Sequence, residues 1–230
     1  MLEIQGLNQF YGGSHTLWDV DMTVPTGSCT CLMGRNGMGK TTLLKCVMGL
    51  LPSTGRILYE GRDIRGLPAE DRAHLRIGYV PQGREIFSQL TVEENLRIGL
   101  AARRPRLAEV PEQIFQMFPV LKQMLRRRGG DLSGGQQQQL AIARALLAEP
   151  KLIIFDEPTE GIQPSIIKDI ERVIRLLRAR GDMAILLCEQ YFDFAHALAD
   201  KFIVLSRGEV VAAGVQADMN NDDVKRHLAV

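Results

Sequence analysis

Tryptophan occurs once in this sequence, aromatic residues make up only 6% of it, and 28 Lys+Arg against 27 Asp+Glu leave a formal charge of just +1. Without a charge excess there is no general field to gather nucleic acid or an anionic membrane, so any anion is held locally. No apolar run approaches the roughly eighteen residues that span a bilayer. The opening MLEIQGL lacks the basic start and apolar stretch of a signal peptide, so a cytosolic chain without a membrane span is expected. Cysteine is also scarce: Cys29, Cys31, Cys46 and Cys188 show no metal-type pair spacing and read as reduced, buried thiols. Repeats and low-complexity linkers are missing, which excludes tandem arrays. What remains is a 230-residue chain, 45% hydrophobic and 24% charged, able to bury a core as one α/β domain with a possible subdomain.

Along the chain, strand and helix signals alternate. Ser28 to Met33 (SCTCLM) reads as a short apolar strand, followed by Gly34 to Thr42 and then the apolar-periodic LLKCVMGLL, closed by Gly49 and Pro52. ILYEGRDIRGLP and RIGYVPQ read as strands broken by glycine turns, Ile77 to Pro81 most clearly. From about Arg84 to Ala148 the pattern turns helical. Thr91 with Glu94 forms a capping box opening a helix through Leu100, and Leu107 to Leu125 predicts another, broken at Pro119. Ser133 is the candidate N-cap of the helix that follows it. Strands return at Lys151 to Asp156 and Met183 to Cys188, with a helix over Pro164 to Arg180 between them. A short helix through Ala199 and a hairpin of 201–206 with 209–213 follow. The order is an α/β core, a helical insertion, and the core resumed.

Three places carry chemistry. Gly34, Arg35, Asn36, Gly37, Met38, Gly39, Lys40 and Thr41 fit G-x-x-x-x-G-K-[ST] between a strand and a helix, the setting that points to a nucleoside triphosphate. Such a loop turns its amides onto phosphate oxygens, helped by the positive end of the next helix, which starts near Thr42. Lys40 is placed to reach the β and γ phosphates, and the Thr41 hydroxyl to ligate Mg²⁺. Asp156 and Glu157 end an apolar strand, where a parallel sheet meets its ligand. Asp156 reads as a metal partner and Glu157 as the base for a water attacking the γ phosphate. A carboxylate pair alone would equally well cap a strand; the glycine loop and the element order give it meaning. Ser133, Gly134, Gly135 and Gln136 put small residues and free amides at a second helix start.

Taken with the LSGGQ stretch and the DEPT stretch, the latter about 120 residues beyond the lysine loop, the chain resembles the ATP-binding subunit of an ABC transporter over essentially its whole length. The resemblance implies an α/β P-loop NTPase with a RecA-like core sheet (about 1–83 and 149–230) and an inserted α-helical subdomain (about 84–148). It implies ATP with Mg²⁺, hydrolysis coupled to transport, and two subunits paired head to tail, either a homodimer or a pair with a second ABC ATPase. In that pairing Ser133, Gly135 and Gln136 would face the γ phosphate of the partner's nucleotide. Tyr11, in FYGG, resembles the residue that stacks on adenine. Gln82, ending YVPQ, resembles the glutamine that contacts metal and attacking water.

Two departures stand out. Gln163 replaces the aspartate that usually ends the family's dimer-facing loop, and Glu189-Gln190 follows MAILLC where most members have a histidine. The γ-phosphate contact therefore falls to Gln190, whose amide can donate but does not titrate near neutral pH. That glutamine, with GLNQFYGGSHTL, YVPQGREIF, EQYFDFAHALAD and RHLAV, is similar to importer ATPases for branched-chain amino acids and most of all to those for urea. The resemblance implies a chain peripheral on the inner face of the membrane, held by two transmembrane permease subunits. Urea or a short amide would be the solute, with branched-chain amino acids as the alternative. A soluble ABC ATPase of nucleic-acid or translation processes fits less well, given the compact insertion and near-neutral charge.

Overall fold

The computed structural model describes residues 1–101, 103 and 107–228, the side chains of Asp223 and Lys225 excepted. Residues 102 and 104–106 of the expected helical insertion, and the last two of the RHLAV segment, lie outside the described residues.

The core sheet is built around the apolar runs. β3 (Cys29–Met33), β6 (Ile77–Val80), β7 (Leu152–Asp156), β8 (Ala184–Glu189) and β9 (Lys201–Ser206) run parallel. β10 (Glu209–Val215) pairs antiparallel with β9, giving the order β10-β9-β3-β8-β7-β6. β3, β7 and β8 are buried at every position, as expected for parallel strands covered on both faces. Because β3, β8, β7 and β6 are successive neighbours, the segments that leave their C-terminal ends open onto one edge of the sheet. Gly34, Gln190, Glu157 and Gln82 all belong to those segments.

A second, antiparallel sheet of order β2-β1-β4-β5 packs over one face. It comprises β1 (Leu2–Tyr11), β2 (Ser14–Val24), β4 (Thr54–Tyr59) and β5 (Arg62–Asp63). Leu2, Ile4, Leu7, Val20 and Ile57 pack there with Leu32, Ile154 and Leu186 of the core sheet. The N-terminal strands had no counterpart in the sequence reading. Three register shifts between Ile4 and Phe10 break the period-two pattern that would have announced β1.

Between α1 (Lys40–Val47) and β6 lies a short helix that sequence reasoning also missed, α2 (Ala69–His74). It brings in Arg72, buried, whose guanidinium donates to the carbonyls of Cys46, Val47, Leu67 and Arg65. A cation on the last carbonyls of α1 opposes that helix's negative end and pins its C-terminus.

The helical region holds α3 (Val92–Ala101), α4 (Glu112–Met117), α5 (Pro119–Gln123) and α6 (Gly134–Leu146). The expected capping box is present, Glu94 N–H donating to Thr91 Oγ1 at 3.2 Å and Thr91 N–H to Glu94 Oε2 at 2.7 Å. The helical stretch expected over 107–125 is broken at Pro119 as anticipated, into two short helices, with Pro119 the first residue of the second, where its missing N–H costs nothing. α7 (Pro164–Ala179), α8 (Phe192–Leu198) and α9 (Asp222–Leu228) complete the α-helices among the described residues, with short 3-10 helices at Gly129–Asp131 and Gln216–Asn220. All four cysteines are free and buried.

Candidate active site

The glycine loop leaves β3 through glycines whose backbone takes positive φ. Gly34 has φ +150°, and a β-carbon there would fall on the backbone carbonyl of Leu205; Gly37 and Gly39 take φ +80° and +101°. The loop ends on Lys40 at the start of α1, buried to 4% exposure. Lys40 Nζ donates to the carbonyls of Gly34 (2.7 Å) and Arg35 (3.0 Å) and forms an ion pair with Glu157 Oε1 at 3.1 Å. Thr41 Oγ1 donates to Asp156 Oδ1 at 3.3 Å, and the Tyr79 hydroxyl donates to Asp156 Oδ2 at 3.0 Å. Gln82 Nε2 donates to Glu157 Oε2 (3.3 Å) and Glu160 Oε2 (2.9 Å). Lys40, Thr41, Gln82 and Glu157 line a cavity of about 260 Å³ together with Thr16, Asn36, Gly37, Gly39 and Thr42.

Adjacent residues on a strand point to opposite faces. Asp156 and Glu157 nevertheless meet one loop because Glu157 has left the strand with φ +47°, a left-handed conformation rare for this residue type. Burial raises the Asp156 carboxyl above its ordinary value, and the hydrogen bonds from Tyr79 and Thr41 only partly oppose that. The Tyr79 hydroxyl is raised in turn, mainly by burial and then by the Asp156 charge. A buried carboxylate, a threonine hydroxyl and a glutamine amide oxygen form a hard-oxygen donor set, suited to Mg²⁺ and too small to be a complete cage. Among the described residues no three His, Cys, Asp or Glu side chains cluster as a metal site.

Ser133 is the N-cap of α6, its Oγ accepting from Gln136 N–H (3.4 Å) while Gln136 Oε1 accepts from Ser133 N–H (2.9 Å). The Gln136 carbonyl oxygen is thus committed to the cap, leaving its Nε2 to donate outward. Gly135 serves packing as well as amide exposure, since a β-carbon would lie 2.8 Å from Ile166 Cγ1, and one at Gly134 would meet the Arg84 guanidinium at 3.0 Å. This helix tip borders a separate cavity of about 380 Å³, shared with Gln139, Gly161, Gln163 and Asp169.

Two expected contacts are not brought to the phosphate cavity. Gln190 is exposed and lines a different hollow of about 320 Å³ with Gly34, Arg35, Asn36 and Leu228. Tyr11 is half-exposed at the end of β1 opposite Ser14, while Thr16 of the same hairpin lines the cavity. Sequence reading also passed over Tyr79, Thr159 and Glu189. A carboxylate closing a buried strand was the one available signal for Glu189.

A family model described as "ABC transporter" matches residues 17–160. The chain is 40% identical over 213 residues to the "High-affinity branched-chain amino acid transport ATP-binding protein BraG" of Pseudomonas aeruginosa, covering 92% of this chain and 91% of that one. It is 37% identical to the "Probable branched-chain amino acid transport ATP-binding protein LivF" of Archaeoglobus fulgidus (95% and 94% covered). To the "Lipopolysaccharide export system ATP-binding protein LptB" of Escherichia coli K12 it is 35% identical (98% and 95%). A solved structure described as "Structure of ATP binding subunit of ABC transporter" superposes with a TM-score of 0.88 at 29% identity, covering 100% of both chains.

Proposed function

This chain belongs to the ABC transporter family, whose ATP-binding domains hydrolyse ATP, and from that premise we propose that it is the motor subunit of an importer in which two ATPase chains share each nucleotide. The observation that carries the reading is the separation of the two anion-binding devices. The cavity at Lys40 and the one at Ser133 have no lining residue in common, which supports a triphosphate closed between two chains. A second chain, identical or a different ABC ATPase, would bring its Ser133-type tip over the first chain's glycine loop.

In that reading the loop amides and Lys40 hold the phosphates, Glu157 polarises the attacking water, and Gln190 approaches the γ phosphate once the chains close. Thr41, Asp156 and Gln82 would hold Mg²⁺, which would supply charge neutralisation on the transferring group. Lys40 and Glu157 form an ion pair, and phosphate contacts to Lys40 would replace it and free the carboxylate. The region 84–148 would grip two membrane permease subunits, placing the chain on the cytoplasmic face. No helix among the described residues is itself long and apolar enough to cross a membrane.

Branched-chain amino acids are the solute we favour. Two of the relatives above carry that transport in their names, whereas none is named for urea, the solute the sequence stretches suggested. The similarity to LptB keeps an exporter as a rival outcome. A shared site makes turnover per chain rise with protein concentration, and Ser133→Arg should abolish hydrolysis while leaving nucleotide binding to the isolated chain. Turnover per chain that is independent of protein concentration, or a normal rate in Ser133→Arg, refutes the shared site. With the permease partners in vesicles, ATPase stimulation by leucine-loaded binding protein but not by urea tests the solute.

A further inference from the structure

The proposed mechanism leaves one buried charged side chain at this edge of the sheet without a task. Glu189 ends β8 at 1% exposure, one residue before Gln190. Its Oε1 accepts the backbone N–H of both Gln190 (2.9 Å) and Tyr191 (3.1 Å), and its Oε2 accepts the hydroxyl of Thr159 at 2.8 Å. Thr159 is itself 8% exposed and lies two residues beyond Glu157. A single carboxylate thus bridges the segments that leave two neighbouring parallel strands, β7 and β8. The same junction carries a second tie, Glu157 N–H donating to the Cys188 carbonyl at 3.0 Å.

We propose that Glu189 and Thr159 form a positioning clamp that holds Glu157 and the Gln190 turn in fixed register for hydrolysis. The physical need for it is at Glu157, whose left-handed backbone persists only where its surroundings over-determine it. The clamp fixes the chain on both sides: the Cys188 carbonyl takes the amide of Glu157, and Glu189 takes the hydroxyl two residues on. It also sets the path of the backbone at Gln190 and Tyr191, because two consecutive amides converge on one oxygen. Neither residue touches the phosphate cavity, so the clamp acts through Glu157 and Gln190 rather than on substrate.

This inference rests on the reading of Glu157 as the base, and the test separates the two. Thr159→Val keeps the shape and removes the donor, whereas Thr159→Ser keeps the donor. With ATP and Mg²⁺, Thr159→Val should lower kcat by about tenfold or more, the scale of loss from a small misplacement of a reacting group, with KM for ATP within about twofold. Thr159→Ser should restore the parental kcat. Glu189→Gln, which cannot accept from two amides and a hydroxyl with both of its terminal atoms, should reproduce the Thr159→Val profile. A thermal midpoint taken on each variant shows that the chain is folded. A folded Thr159→Val with parental kcat overturns the clamp, as does a loss confined to KM. If Thr159→Val does not fold, Glu189→Gln decides by the same criteria. Glu157→Gln run alongside isolates the premise: normal turnover there removes Glu157 as base, while a slow Glu157→Gln beside a fast Thr159→Val removes only the clamp.

Discussion

Replacing Glu157 by glutamine should push three measurements in different directions. Lys40 Nζ stands 3.1 Å from Glu157 Oε1, with side chains only 3% and 4% exposed. At that separation an effective dielectric near 20 gives an attraction of about 5 kcal/mol. Desolvation of two buried ions consumes much of it, but removing one partner strands the other, at a cost of about 3–5 kcal/mol when nothing else compensates. Here the carbonyls of Gly34 and Arg35 still accept from Lys40, and the glutamine amide oxygen keeps the vacated position. We therefore expect a loss of about 2 kcal/mol, a drop of roughly 4–8 °C in the thermal midpoint for a chain of this size. Nucleotide binding should move the other way. The triphosphate no longer competes with a carboxylate for Lys40 and no longer meets its repulsion, so ATP should bind about tenfold tighter, about 1.4 kcal/mol. Hydrolysis should fall by about 10² to 10⁴, the usual contribution of a positioned base. Melting curves without nucleotide, titration with ATP, and phosphate release report the three separately. An empty variant that melts at or above the parent, with unchanged ATP affinity, would refute the idea that Glu157 holds Lys40 in reserve.

The glycine loop offers a graded comparison: Gly34→Ala meets the Leu205 carbonyl and should cost about 1–3 kcal/mol of overpacking beyond its backbone strain. Gly37→Ala has open space around the added methyl and should cost only the left-handed strain, about 1–2 kcal/mol; denaturant midpoints rank the two. For Glu189, burial raises the carboxyl above its ordinary 4.5, so the folded chain binds a proton more readily than the unfolded one. Its contribution is fully present below about pH 4.5 and declines as the pH rises through the folded value, so Glu189→Gln should flatten that decline in a pH series of urea melts.

The division between what could be read in advance and what could not follows sequence distance. Lys40 and Thr41 were legible because their partners in function are contiguous: eight positions in a fixed spacing between a strand and a helix. The Ser133 cap was legible for the same reason, its reciprocal partner Gln136 being three residues away. Asp156 and Glu157 were recognisable as the end of an apolar strand, and the turn that lets both face Lys40 and Thr41 had to be assumed; the structure supplies it as a positive φ at Glu157. Nothing local announced Arg72. It sits in a six-residue helix of otherwise polar composition, and its importance lies in carbonyls contributed by Cys46, Val47, Leu67 and Arg65. Glu189 is hidden in the same way, since Thr159 is thirty residues away. Gln190 marks the opposite failure. Its position after β8 was read correctly, yet it lines a different hollow from the one at Lys40. Spacing names the residue that could reach a phosphate; whether it does depends on how Glu189 directs the turn, and so on a hydrogen bond to a different strand's loop.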